Sequence, residues 1–128
     1  MPVHADVAPP TWEARLLPLA LRASVARRAA AGKPAGDPPT ADDLAAGAEI
    51  YDGSCARCHG KIGGGARAYG AAFYPPAPLL PGDRTSFTES ELRELVTHGI
   101  RMTGMPAWGG MLSERDIARV VAVVARFE

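Results

Sequence analysis

The chain is short of aromatic residues, of cysteine and of any long apolar run. Phe, Trp and Tyr make up 6% of its 128 residues, so a small core must come from Leu, Val and Ala or from something the sequence does not encode. No apolar run approaches the roughly 18–20 residues that cross a bilayer. Charge of one sign is missing too: 14 Lys and Arg balance 14 Asp and Glu, which removes any general attraction to nucleic acid or to anionic lipid. Cysteine is confined to Cys55 and Cys58, and their spacing carries most of the functional reading. Gly (14) and Pro (12) are plentiful, a content that means many loops but stops short of a disordered composition. The length fits one domain with a tail.

Proline and charge are unevenly spread. Residues 1–40 hold seven of the twelve prolines and five basic against three acidic residues, whereas residues 41–128 hold nine basic and eleven acidic. The composition therefore divides at Pro38–Thr40 into an N-terminal extension (1–40) near +2 and a domain (41–128) near −2. Within the extension, Glu13–Ala31 is rich in Ala, Leu and Arg and is expected to be helical, with Pro18 interrupting it or setting its first turn. Its apolar residues (Leu16, Leu17, Leu19, Leu21, Val25) form no single clean stripe. That describes a solvated or partner-packed helix, with a basic surface helix near a membrane as the alternative. Leu16–Leu21 is too short for the apolar region of a signal peptide, and basic residues follow it.

The domain opens on Thr40-Ala-Asp-Asp43, an N-cap with acidic residues in the first turn. The helix it starts runs through Leu44, Gly47, Ala48, Ile50 and Tyr51 toward Cys55, with apolar spacings of three and four. Gly60 and Gly63–Gly65 end regular structure, and 61–84 reads as a long loop carrying Pro75-Pro76, Pro78 and Pro81-Gly82. Thr88 with Glu91 makes a capping box for a second helix; Leu92, Leu95, Val96 and Ile100 line one face and Gly99 marks its end. A third helix starts at Ser113, carries Glu114 and Asp116 in its first turn, and presents Ile117, Val120, Val121 and Val124 as its buried face.

Cys55-Ala-Arg-Cys58-His59 fits the pattern for covalent attachment of c-type haem. Two thiols three apart at a helix end lie on one face, spaced to reach the two vinyl groups of one porphyrin. The His that follows lies under the iron and can donate an imidazole nitrogen. A thioredoxin-like redox pair needs a βαβ context that this sequence lacks. A zinc site needs further ligands, and His98 and His4 are isolated. A disulfide between residues three apart on a helix has poor geometry.

The second axial position falls first to Met105, in Gly104-Met105-Pro106. Gly104 permits close backbone approach to the porphyrin, Pro106 restrains the chain, and the thioether is a soft ligand. Met105 follows His59 by 46 residues, ample chain to pass from one haem face to the other. Met102, His98 and Met111 compete; Met111 reads as core filler, and His98 as a residue favoured by the helix C-terminal dipole.

Over residues 41–128 these features together resemble the mono-haem class I c-type cytochromes. The resemblance rests on the helix with Gly47 and Tyr51, the Cys55–His59 motif, the Pro-rich loop, the helix ending His98-Gly99-Ile100-Arg101, the segment Thr103–Trp108 and the last helix from Ser113. It implies an all-α fold of three main helices and long loops wrapped around one covalent haem c. By position it implies Cys55 and Cys58 as thioether sites, His59 and Met105 as iron ligands, and the Pro78 carbonyl as acceptor from the His59 ring. Trp108 and Arg101 become candidate haem propionate partners, with Tyr69, Tyr74 and Arg84 behind them. The first and last helices of this family cross at a glycine and an aromatic residue; here Gly47 meets Val123, and Phe127 is the substitute aromatic.

With both axial positions filled there is no open site for a substrate, so the implied role is one-electron transfer between redox proteins, not enzymatic catalysis, with no nucleic acid and no small-molecule substrate. The alternatives are a fixed cytochrome subunit of a larger membrane redox complex and a haem enzyme or gas sensor with a labile sixth ligand. Haem attachment of this type implies the periplasm or outer face of the bacterial inner membrane. A signal or anchor lost before Pro2 is expected.

Overall fold

The structure, a computed structural model, describes residues 3–33, 36–64, 69–80 and 86–127. Its elements are helices α1 (Thr11–Ala31), α2 (Ala41–Ile50), α3 (Ala56–His59), α4 (Glu89–His98) and α5 (Glu114–Val124). A π-type turn (Tyr51–Cys55) joins α2 to α3, and short 3₁₀ turns lie at Gly70–Ala72 and Trp108–Gly110. The described residues contain no strand; the fold is all-α.

The three main helices begin where the side chains dictate. Thr40 accepts from the Asp43 N–H at 3.1 Å while Asp43 accepts from the Thr40 N–H at 3.3 Å. Thr88 and Glu91 repeat this reciprocal box at 3.3 and 2.8 Å, and Ser113 accepts from the Asp116 N–H at 3.1 Å. Each cap satisfies backbone donors that the first helical turn leaves without partners. α4 stops at Gly99, whose φ of +65° is strained for any residue with a Cβ. Ile100 therefore lies past the helix end instead of continuing its face.

α2 and α5 cross at Gly47. A Cβ there would collide with the Arg119 carbonyl and sit 2.9 Å from a Val123 methyl. Above the crossing, fully buried Tyr51 meets Phe127 edge to face, ring centroids 5.1 Å apart at 78°. At the crossing Gly47 thus faces Arg119 and Val123, while Phe127 packs on Tyr51. The crossing is tied by Arg119, whose Nε donates to Asp43 at 3.0 Å and whose Nη1 lies 3.3 Å from Asp116. Hydrogen bonds from Thr40 and then from Arg119 hold the Asp43 carboxyl down to about 2, so the bridge stays ionised at neutral and mildly acidic pH. Tyr51, Ala56, Leu92, Ile117, Val120, Val121 and Val124 form the buried cluster. Gly47→Ala is expected to lower unfolding free energy by about 2–3 kcal/mol, because the obstacle is backbone that cannot rotate away. Urea denaturation measures this, and an unchanged midpoint would show that the helices can part at no cost.

α1 contains Pro18 in its interior, where the sequence suggests an interruption or a first turn. A proline inside a helix loses one backbone bond; packing against the rest of the molecule offsets it. Val25 is buried, the Arg22 guanidinium lies 5.0 Å over the Phe87 ring, and Arg22 also bonds to Ser86. α1 thus packs along the start of α4 within its own chain.

Candidate functional site

The π-type turn places the Cys55–His59 segment. The Ala56 N–H bonds to the Tyr51 carbonyl, five residues back, which re-aims the chain before the short α3. Gly60 ends α3 with φ +87°. The Tyr51 hydroxyl donates to the Gly60 carbonyl at 2.8 Å, so the core's largest buried side chain pins the end of the motif. Cys55 and Cys58 are free thiols, both half-buried. Burial, with the neighbouring Cys58 adding to it, pushes the Cys55 thiol up to about 11, so it is protonated at neutral pH.

His59 is held at its ring and at its backbone. Its Nδ1 lies 3.0 Å from the Pro78 carbonyl oxygen, and its own carbonyl accepts from the Leu80 N–H at 3.1 Å. A carbonyl oxygen only accepts, so Nδ1 carries the ring proton and Nε2 the lone pair. The loop that supplies Pro78 lies tight on the motif. At Gly70 a Cβ would collide with the Cys58 carbonyl, and the Ala77 N–H donates to the Gly70 carbonyl at 2.8 Å.

Met105 comes from a separate segment. Thr103 Oγ1 donates to the Ile100 carbonyl at 2.8 Å and accepts from the Met105 N–H at 3.1 Å, and the Met105 carbonyl accepts from the Ile100 N–H at 3.2 Å. This turn is folded onto the end of α4: a Cβ at Gly99 would lie 2.7 Å from the Met105 carbonyl. Gly104 also meets the loop after the motif. A Cβ there would stand 2.8 Å from the Phe73 ring, so its bareness joins the Met105 segment to the loop after the motif.

These segments border a common cleft. Cys55, Cys58, His59, Pro78, Met105 and Trp108 all line it, with Ser54, Phe73, Pro75, Pro76, Ala77, Val96, Ile100, Thr103, Gly104 and Pro106. Arg101 is exposed and does not line the cleft. Tyr69 is exposed, with the Arg57 guanidinium 5.4 Å over its ring. Tyr74 is half-buried, and burial with the Glu13 charge raises its phenol. Arg84 lies outside the described residues. His98 sits 3.6 Å from Glu94 on the surface of α4. Met102 is 89% exposed and Met111 61%, so Met111 is not core filler and neither lines the cleft. Phe73 joins the site without a motif to single it out, and Thr103, the first residue of the Thr103–Trp108 segment, joins it through a turn that a Thr two residues before Met105 signals.

The walls suit a haem. They are mostly carbon, two thiols and a soft thioether face the same space, and the Pro78 contact sets the imidazole tautomer that a metal requires. Among the described residues no group of three or more His, Cys, Asp or Glu side chains is arranged to hold a metal ion between them.

The chain resembles known proteins along most of its domain. Residues 42–123 match the family model described as cytochrome c oxidase, cbb3-type, subunit III. The chain is 41% identical over 81 residues to the cbb3-type cytochrome c oxidase subunit CcoP of Cereibacter sphaeroides, covering 62% of this chain but 26% of that subunit. It is 36% identical over 96 residues to cytochrome c6 of Picosynechococcus, covering 70% of this chain and 78% of the relative. A chain of the reducing HAO-like protein complex of Kuenenia stuttgartiensis shares the fold, with a TM-score of 0.58 and 23% identity over 73% of this chain and 48% of that one.

The all-α fold and the cleft thus define a mono-haem class I cytochrome c domain that carries one covalent haem c. The chain belongs to the family of cbb3-type cytochrome c oxidase subunit III. Its role is electron transport.

Proposed function

We propose that residues 41–128 carry single electrons through a haem c bound by Cys55 and Cys58, with His59 and Met105 as its axial ligands. The carrying observation is that His59, its lone pair assigned to Nε2 by the Pro78 carbonyl, and Met105, positioned by Thr103, line the same carbon-walled cleft as the two thiols. When bound, haem c supplies a one-electron iron couple. The chain's part is to keep both ligands in place through each change of charge, which the backbone bonds around His59 and Met105 do, and to keep water out, which the Pro75–Pro78 wall and Trp108 do. A thioether ligand favours the reduced state relative to a second imidazole. Trp108, on the wall, is the better placed propionate partner; Arg101, exposed and off the lining, is the weaker candidate.

The partners are redox proteins, and the place of work is the periplasm or the outer face of the inner membrane. Likeness to a small cytochrome c6, of which the chain spans 78%, supports a mobile carrier. The family model and the 26% share of a much longer oxidase subunit support a second reading, a fixed domain of a membrane oxidase complex. Migration as a 13.4 kDa monomer favours the first, co-purifying subunits the second. The ferrous protein is expected to bind no carbon monoxide at concentrations that saturate five-coordinate haem; ready binding would make the site an enzyme or gas sensor.

A further inference from the structure

We propose that α1 lies on an anionic lipid surface through the face it turns away from α4. One side of the helix is accounted for: Val25 is buried, Leu21 and Ala29 are half-buried, and Arg22 is stacked on Phe87. On the other side Trp12, Leu16 and Leu19 recur at i, i+4 and i+7, the spacing of one helical face. They are 54%, 56% and 65% exposed, and Ala23 and Ala30, exposed too, continue the row. The helix as a whole shows no clean stripe because it carries apolar residues on two faces; once α4 covers one, the Trp12, Leu16 and Leu19 row remains outward, with Leu17, 51% exposed, standing apart from it.

Charge selects the occupant. α1 contains four arginines and one acidic residue, Glu13. At 100° per residue, Arg15 and Arg27 flank the apolar row on its two sides. Glu13 is half-buried, and its charge acts on Tyr74 of the loop instead of on this face. An apolar row containing a tryptophan, edged by arginines whose long stems reach up to phosphates, is the pattern of a helix resting in the headgroup region. No helix among the described residues is long and apolar enough to cross a membrane, so α1 would lie on the surface. A second copy fits this face poorly, because it would bring arginine rims against arginine rims. The zero net charge of the chain is no objection: the positive charge is local to the helix, and the acidic domain faces away.

The test is flotation of the whole holoprotein with vesicles of phosphatidylcholine alone and with about one-third phosphatidylglycerol. Binding to the anionic vesicles is expected, weakening with salt, and little to the neutral ones. Trp12→Ala/Leu16→Ala/Leu19→Ala is expected to weaken binding at least about ten-fold, and Arg15→Gln/Arg27→Gln by roughly ten- to thirty-fold. All five side chains are exposed, so helical circular dichroism and the haem spectrum are expected to stay unchanged in both variants. No binding to the anionic vesicles, or undiminished binding by either variant, would overturn the proposal. So would a dimer that the apolar variant converts to monomer, which would assign the face to a second copy. Neither vesicle binding nor oligomeric state depends on the iron ligands, so this proposal and the electron-transfer reading fail separately.

Discussion

Replacing Cys55 and Cys58 together by alanine is expected to let the haem leave. On the proposed ligation, two thioethers make the group part of the chain, and its hold on His59 and Met105 would be intramolecular, at an effective concentration on the order of millimolar or above. Without them it rests on coordination and burial alone and is expected to pass to excess apomyoglobin. The loss reaches the fold because cleft and core share walls: Cys55 and Val96 line the cleft and also pack against the buried cluster. That cluster has seven residues, of which one is aromatic, so little apolar packing is left once the cleft fills with water. A tightly held group contributes about 4 kcal/mol when present at a thousand times its dissociation constant, and a loss of that order is expected in urea denaturation. Haem staining that stays with the double variant on a denaturing gel would remove these cysteines from the attachment role.

Met105→Ala is expected to have the second largest effect, confined to the iron. The backbone bonds that shape its turn involve the Met105 N–H and carbonyl with Thr103 and Ile100, and alanine keeps both. The fold is therefore expected to hold while the sixth position opens. The ferrous variant would bind carbon monoxide, the ferric sulfur-to-iron band would disappear, and the midpoint potential would fall by on the order of 0.1 V, within the roughly 0.8 V that axial ligands span. Met102→Ala and Met111→Ala serve as controls. Both side chains are exposed and lie off the cleft, so neither change is expected to move the spectrum. A ferric band that survives Met105→Ala and vanishes in Met102→Ala would reassign the ligand.

Elements announced by side-chain chemistry are legible in the amino-acid sequence alone. Thr40, Thr88 and Ser113 cap the helices they start, because an N-cap bond spans three residues and needs nothing from elsewhere. The Val face of α5 is equally plain, since its period is set by the helix itself. The Cys55–His59 motif is readable because its chemistry is written in consecutive residues. Other features depend on what another segment brings. Whether Phe127 meets Tyr51 depends on how far α5 extends past α2. That Gly104 serves Phe73 depends on two loops meeting 31 residues apart in the sequence. Arg101 and Trp108 look alike as propionate partners in the sequence, yet Trp108 lines the cleft and Arg101 does not, a difference that depends on how the chain folds back after α4.

By itself the sequence determined the cofactor's class and the all-α fold, since a local motif and local helix signals carry both. It also placed the scarcity of aromatics in a sensible light, because a haem supplies the large flat core element. Only the tertiary structure decided how the cleft is walled, which nitrogen of His59 carries the lone pair, and which methionine lines the cleft. It also decided that α1 rests on α4 with its other face bare. Those outcomes depend on contacts between residues far apart in the chain, where direction and distance are set by packing and not by spacing along the backbone.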